Sequence, residues 1–306
     1  MDVESRFGAG KTTRYISVIP VRLPLLLTSS CILNPVPGCA LFDGGPVLDY
    51  LKTVKAFLDA HPSEVLTLLF TNPEQQGVGD VWKPIFDESG LSPMAYTPPH
   101  VPLAYNGWPT LDEMITTGKR LVVFMDFGAN VSQVPFILPE FEMIWETPFG
   151  FTNSSFPCSI DRISDSLPTE DHMYMINHSL NRNWTFLTSP LGLIGVDGPE
   201  IIVSDPGDAE VTNGVGSILA NVARCAPLAQ DRNPNFVLLD FVDKGEAFKA
   251  GEILNGLQPY PTPAATPSPS ATSNSGSASG WKSGFMGISM GSVIAIGVGA
   301  GAVLVI

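Results

Sequence analysis

Two hydrophobic periods alternate along the central part of the chain. Residues 45–61 (GPVLDYLKTVKAFLDAH) carry apolar side chains every three or four positions, which predicts an amphipathic helix that ends before Pro62. Residues 64–72 (EVLTLLFTN) then form a short apolar run of strand length. The chain is therefore expected to pass from a helix into a buried strand.

The same two patterns recur as far as residue 256. Further helices are predicted near Asp80–Phe86, Leu111–Thr117, Ser217–Arg224 and Glu246–Leu254, and further strands at Arg120–Asp126, Met173–His178 and Phe236–Phe241. Apolar strands that alternate with helices favour an α/β fold, in which helices cover a parallel sheet.

Several of these strands end in polar residues, namely Asn72, Asp126, Asn177 with His178, and Asp240. Parallel strands end at the same edge of a sheet, so these side chains are expected near one another. Ligands bind at this edge in a (β/α)8 TIM-type barrel, and also at the crevice of a doubly wound sheet. The pattern alone leaves both architectures open.

Charge divides the chain of 306 residues, whose formal net charge is −14. Residues 1–38 hold four basic and two acidic side chains, residues 39–258 hold eleven and twenty-eight, and residues 259–306 hold one and none. Nucleic-acid binding needs clustered Lys and Arg, so no nucleic-acid partner is expected for the acidic central body. The hydrophobic fraction of 44% is enough for a sizeable core.

The C-terminal part has a different composition. Residues 259–282 are mostly Pro, Ser, Thr, Ala, Gly and Asn, which predicts an extended stalk. Residues 283–306 are uncharged and mostly apolar. They are expected to be either a glycosylphosphatidylinositol (GPI) attachment signal or a transmembrane tail, and in both cases the membrane is a partner.

Residues 1–38 do not match the rest, because their polar start (MDVESRFGAGKTTR) is unlike a signal peptide. The four cysteines (Cys31, Cys39, Cys158, Cys225) allow three pairings and suit an oxidising compartment. Glycosylation sequons occur at Asn130, Asn153, Asn177 and Asn183. With the tail, these features predict an extracellular protein anchored at the cell surface.

Blocks of sequence in order along the chain carry a family resemblance. They are CALFDGGPVLDYLKTVKAFL, HPSEVLTLLFTN, WPTLDEMITTGKRLVVFMDFGA, LPEFEMIWETPF, EDHMYMINHSL and RNPNFVLLDFV. Through them residues 39–256 resemble the fungal PLC-like phosphodiesterases, which belong to the TIM-barrel superfamily of phosphatidylinositol-specific phospholipase C. The resemblance implies a (β/α)8 barrel and phosphodiester cleavage.

In that chemistry a hydroxyl next to the phosphate attacks phosphorus, and two histidines act as general base and acid. The resemblance implies that both histidines lie on the early strands, one of them in a Cys-His-Thr-Ser-Cys phrase. This chain instead reads LLLTSSCILNPVPG before Cys39 and has no histidine before His61. We therefore expect that the first two barrel strands and both histidines are missing, that two sheet edges lack partners, and that a native transcript supplies them with a leader.

Asp126, Asn177 and Asp240 match positions at the strand ends of the family, and Asn72 and His178 also lie at strand ends. Asn72, Asp126 and Asn177 are expected to bind substrate, and Asp240 and His178 to support catalysis. Asn177 would then leave its sequon unused, so Asn130, Asn153 and Asn183 are the predicted glycosylation sites. A disulfide is predicted between Cys158 and Cys225, with no cofactor, no metal ligand assigned and the use of a metal left open.

Three classes of function follow. The first is a phosphoric diester hydrolase for an inositol phospholipid or related phosphodiester, inactive in this chain because it lacks the histidines. The second is a non-catalytic surface protein that binds lipid or glycan. The third is a glycosidase, with Asp126, Glu142, Glu146 and Asp240 as the available acids.

Overall fold

The structure is a computed structural model that describes residues 17–21, 46–73, 75–185, 200–261 and 302–305. The strands are β1 (Ser17–Val21), β2 (Leu66–Phe70), β3 (Leu121–Met125), β4 (Ile137–Pro139), β5 (Ile144–Glu146), β6 (Met173–Asn177), β7 (Asn181–Thr185), β8 (Glu200–Ser204), β9 (Phe236–Leu239) and β10 (Ala302–Val305). The α-helices are α1 (Val47–Ala60), α2 (Lys83–Ser89), α3 (Leu111–Thr117), α4 (Ala209–Thr212), α5 (Val215–Cys225) and α6 (Ala247–Leu254).

Most neighbouring strands are parallel. One sheet has the order β1-β2-β3-β4 and is parallel throughout. The second has the order β10-β9-β6-β5, in which β5, β6 and β9 are parallel and β10 is antiparallel to β9. Strands β7 and β8 form a separate antiparallel pair. The predicted mixed α/β fold with parallel strands is confirmed, and closure as a (β/α)8 barrel stays a prediction.

Two further strands cover the edges that were expected to lack partners, and these strands are themselves the outer strands of two open sheets. β1 hydrogen-bonds along the free side of β2, and β10 does the same along β9. Unpaired backbone N–H and C=O groups at a sheet edge can hydrogen-bond to a further strand. Here two short apolar segments from outside the matched blocks, β1 and β10, provide that strand. The predicted stalk and most of the predicted anchor, including all of residues 262–301, lie outside the described residues.

Helix α1 follows the predicted period, and its buried side chains Val47, Leu51, Val54 and Leu58 share one face. Its C-terminal end is held by Arg120, which lies just before β3. One guanidinium nitrogen of Arg120 donates to the Leu58 carbonyl at 2.9 Å, and another donates to the His61 and Glu64 carbonyls at 2.9 and 3.1 Å. The last carbonyls of a helix lack partners within it, so Arg120 both caps α1 and ties it to β3.

Alternation along the strands separates two environments. One set of alternate side chains, including Phe124, Leu138, Met175 and Phe236, forms a single cluster shared by both sheets. The opposite set packs against the helices, as Tyr174 and Ile176 do beside α5 and α6. Because side chains alternate at a period of two, the next inward position beyond this cluster lies at the carboxyl end of each strand.

A disulfide fixes α5 to the segment that follows β5. Cys158 and Cys225 are bonded, with their Cα atoms 5.3 Å apart. Cys225 is the last residue of α5, so the bond holds the C-terminal end of that helix. The structure thus contains the pairing that was expected from the resemblance.

Candidate functional site

A cluster of polar side chains occupies the inward positions at the carboxyl ends of β3 to β6; we call it the mouth cluster. Its members are Asp126, Glu140, Glu146, Arg162 and Asn177. Glu140, Glu146 and Asn177 are almost fully buried, whereas the Arg162 side chain is 35% exposed. The cluster therefore reaches the surface through Arg162.

Glu146 is the centre of the mouth cluster. Its Oε2 forms a close ion pair with a guanidinium nitrogen of Arg162 and accepts a hydrogen bond from Asn177 Nδ2 at 3.1 Å. The same Nδ2 donates to the Thr147 carbonyl at 2.7 Å. Glu146 is 1% exposed, so the two donors offset part of the cost of burying its charge.

Backbone pairing brings Arg162 to this position. The Glu146 amide donates to the Arg162 carbonyl at 3.0 Å, and the Asp161 amide donates to the Glu146 carbonyl at 2.9 Å. The guanidinium then lies 4.5 Å from the centre of the Phe149 ring and 5.2 Å from that of Phe141. These rings hold the flat cation by cation–π contacts and limit the directions it can take.

Glu140 completes the cluster from the short helix after β4. It is 2% exposed and lies beside Glu146. Burial raises the pKa of Glu140 well above its usual range, the negative charges of Glu146 and Asp126 add to the rise, and Arg162 opposes it.

Asn72 lies beside the cluster but is occupied by its own loop. Its backbone N–H donates to Asp126 Oδ1 at 2.8 Å. Its side-chain Nδ2 donates to the Gln76 and Phe127 carbonyls, and its Oδ1 accepts a hydrogen bond from the Gln76 backbone N–H. Asn72 therefore joins the carboxyl ends of β2 and β3 and holds Asp126. The structure gives it a bracing position, and its predicted contact with substrate stays a prediction.

His178 follows Asn177 and points to the other side of β6. Its Nδ1 contacts Asn221 Oδ1 at 3.0 Å, and its Nε2 contacts the Thr212 carbonyl at 2.9 Å and Ser217 Oγ at 3.2 Å. Burial lowers the pKa of His178, partly offset by its hydrogen bonds to Asn221 and Thr212. The structure thus places His178 against α5 and not in the mouth cluster.

The remaining predicted residues divide by exposure. Asp240 follows β9 on the same face as Phe236, half-buried, and its carbonyl accepts a hydrogen bond from Asn213 at 2.8 Å. Asn130, Asn153 and Asn183 are exposed, as a glycan acceptor must be. Asn177 is buried and its amide group is bonded within the protein, so its sequon is closed to a glycan.

Sequence comparison assigns the family. The family model described as PI-PLC X matches residues 35–255, which contain the whole mouth cluster. The chain belongs to the PI-PLC X domain family. No solved structure matches it.

Two fungal relatives of this PI-PLC X chain come from Arthroderma benhamiae. A protein named PI-PLC X domain-containing protein 1 is 40% identical over 221 residues, which cover 72% of this chain and 68% of the relative. A protein named as an uncharacterized secreted protein is 36% identical over 229 residues, but this chain spans only 49% of its length. A PI-PLC X domain-containing protein of Arabidopsis thaliana is 27% identical over 85 residues, 28% of this chain and 20% of that protein.

Within the part of the chain that the structure describes, no helix is both long and apolar enough to cross a bilayer. The same residues contain no group of His, Cys, Asp or Glu side chains arranged to hold a metal ion.

Sequence reasoning did not assign Glu140 to the site and considered Glu146 only as a glycosidase acid. The signal was weak because β4 and β5 have three residues each and Pro139, the last residue of β4, directly precedes Glu140. If the alternation of inward and outward side chains is extended from Leu138 to Glu140 and from Ile144 to Glu146, both carboxyls are predicted to face inward.

Proposed function

We propose that this PI-PLC X domain binds the phosphodiester of an inositol phospholipid, or a related diester, at the mouth cluster. The observation that carries the proposal is Arg162, a cation held at the carboxyl end of the strands with 35% of its side chain exposed. An arginine has five N–H donors in a planar fork that matches phosphate oxygens. Its bond to Glu146 uses only part of that fork.

The polar groups around Arg162 support a ligand that also carries hydroxyls. Asn177 Oδ1 and Arg162 Nε are buried and have no hydrogen-bond partner among the described residues. Buried polar atoms without a partner are costly, so such atoms at a cleft indicate groups that a ligand satisfies. An inositol ring offers hydroxyl donors and acceptors of this kind next to its phosphate.

Apolar side chains near the cluster support a substrate with an apolar part. Phe149, which stacks on Arg162, is 58% exposed, and Phe127, which follows Asp126, is 53% exposed. Exposed Ile202 lies beside Gly150 in the same region. Large exposed apolar side chains next to a polar cleft favour a ligand such as a lipid, with a charged head and an apolar body.

We further propose that this chain binds the phosphodiester without catalysing its cleavage. The full-length family is expected to use two histidines, and the four histidines of this chain are all described and lie elsewhere. His61 bonds to the Phe57 carbonyl, His100 to that of Pro102 and His172 to that of Pro168. Each missing proton-transfer group removes about 10² to 10⁴-fold in rate. The alternative second class, a non-catalytic lipid-binding or glycan-binding surface protein, then describes this chain.

Vesicle binding tests this proposal. The protein of residues 1–306 should bind vesicles of phosphatidylcholine with added phosphatidylinositol more tightly than vesicles of phosphatidylcholine alone. It should release no inositol phosphate. Arg162→Lys keeps a charge beside Glu146 but loses the planar fork, so it should weaken binding about tenfold. Arg224→Lys, on the exposed face of α5, is the matched control. Equal binding by both variants would contradict the site.

Two finer statements remain proposals of the same kind. We propose that the strands close as a (β/α)8 barrel, which the inward cluster shared by both sheets supports. We also propose an extracellular, membrane-anchored location with a GPI signal in residues 283–306, which the name of the secreted relative supports in part. Cleavage of that signal would also remove β10 from β9 in the mature protein. Release of the protein from cells by a phosphatidylinositol-cleaving phospholipase would support the anchor, and a mature protein that retains Ile306 would contradict it.

A further inference from the structure

Two carboxyl groups in the mouth cluster share one cation. Glu140 and Glu146 are 2% and 1% exposed, and the negative charge of Glu146 acts on Glu140. Two ionised carboxylates repel each other in a buried space and cannot hydrogen-bond to each other, because neither has a hydrogen to donate. We therefore expect one of the two to hold a proton.

The hydrogen-bond partners identify which one. Both donors of the cluster, Arg162 and Asn177, are directed to Oε2 of Glu146. Glu140 receives neither of them, and its Oε1 has no hydrogen-bond partner among the described residues. A carboxylate is stabilised by donors and a neutral acid is not in need of them, so Glu146 is the ionised member.

The charges that face Glu140 from neighbouring elements agree with this assignment. Glu146 on β5 and Asp126 after β3 are both acidic, and Arg162 is the one basic group that acts on it among the described residues. Asn177 on β6 is neutral and bonds to Glu146. With Glu140 ionised, three negative charges would face one positive charge in a buried space.

We propose that Glu140 is a positioning residue that retains a proton at neutral pH and donates it in a hydrogen bond to Glu146, which fixes Glu146 against Arg162. The direction of the pKa of Glu140, raised first by burial and then by Glu146, supports this arrangement. The proton removes one negative charge from the mouth.

This removal has a consequence that rests on the proposed function. A phosphodiester is an anion, and an ionised Glu140 would repel it and compete for Arg162. Binding of such a ligand should therefore weaken as the pH rises through the raised pKa of Glu140, and Glu140→Gln should remove that limb of the pH profile. Glutamine has nearly the shape of a protonated glutamate and its amide donates a hydrogen bond in the same direction.

Infrared difference spectroscopy on the full chain at neutral pH tests the proton directly. The difference between wild type and Glu140→Gln should contain the loss of a carbonyl band from a protonated carboxylic acid. Glu142→Gln, in the same short helix but with a less buried carboxyl, supplies the reference for a carboxyl open to solvent. Loss of an ionised-carboxylate band in Glu140→Gln, or failure of that variant to fold, would overturn the proposal.

The two proposals can fail separately. Between neutral and alkaline pH, Glu140→Gln should lose less of its affinity for phosphatidylinositol vesicles than wild type does. If wild type does not bind these vesicles and the acid band is present, the proposed function fails and the protonated Glu140 stands. If wild type binds and the acid band is absent, the proton assignment alone is overturned.

Discussion

Asn177 and His178 are neighbours in the chain, yet they belong to opposite kinds of polar environment. Asn177 faces the mouth cluster, where several buried polar atoms have no partner among the described residues. Both ring nitrogens of His178 are bonded, and its partner Asn221 also donates to the Phe156 carbonyl at 3.0 Å. A buried polar group with every atom paired supports the fold, whereas unpaired atoms at a cleft indicate a site.

The largest effect is expected when the paired environment is broken. His178→Ala removes a fully buried ring that contacts Phe156 and leaves Asn221 without its partner. The free energy of unfolding should fall by about 4 kcal/mol, as measured by urea denaturation. His100→Ala, which removes an exposed ring, is the control. A loss below about 1 kcal/mol would contradict the bracing role.

Loss of the disulfide should have the next largest effect. Replacing both Cys158 and Cys225 by Ser should lower the free energy of unfolding by about 3 kcal/mol, because the unfolded chain gains freedom. The bond lies beside the paired environment, since Asn221 is one helical turn before Cys225. Vesicle binding by the folded fraction should be unchanged, and its loss would show that the disulfide also supports the mouth cluster.

A change in the mouth cluster should affect binding more than stability. Asn177→Asp adds a fourth carboxyl to the mouth cluster and removes the hydrogen bond donated to Glu146. The free energy of vesicle binding should become less favourable by about 2 kcal/mol at neutral pH. The loss should be smaller in acid, where the added carboxyl is protonated. Asn130→Asp makes the same chemical change at an exposed position and also removes one sequon, so it is the matched control. Unchanged vesicle binding by Asn177→Asp would contradict the site.

The smallest expected effect is on the pH dependence of the free energy of unfolding, which should differ between the two environments. The pKa of Glu140 is raised, so the folded chain holds a proton that the unfolded chain has lost, and stability falls as the pH rises above about 4.3. The pKa of His178 is lowered, so the unfolded chain binds a proton that the folded chain does not, and stability falls as the pH drops below about 6.5.

Each group should contribute about 1 kcal/mol per pH unit within its own window. Urea unfolding of Glu140→Gln and His178→Gln across a pH series should therefore remove slopes of opposite sign. Slopes of the same sign, or no change of slope in either variant, would show that the two environments do not differ in this way.

Much of the fold could be predicted from the sequence, because long amphipathic and apolar segments determine their own structure. The helix predicted at residues 45–61 is α1 at Val47–Ala60, and the strands at residues 64–72 and 120–126 are β2 and β3. The pairing of β1 with β2 could not be predicted, because any short apolar segment can supply backbone partners to a sheet edge. The antiparallel β10 was missed for the same reason.

The site was less predictable than the fold. Asp126 and Asn177 could be placed at strand ends because Asp126 follows, and Asn177 ends, a clear five-residue strand. Glu140 and Arg162 lie after or between very short elements, so their meeting depends on tertiary pairing that no local pattern encodes. His178 was misleading for a physical reason, since the residue after an inward-facing one points outward.

The disulfide has one more consequence, which concerns cleavage of the chain. Cys158 and Cys225 are separated by 67 positions, and that interval contains Arg162, Asn177 and the β7–β8 pair. A single cut by a protease anywhere in the interval leaves two pieces that are still covalently joined. Such a nicked protein would migrate as one species on a gel without reductant and as two with it.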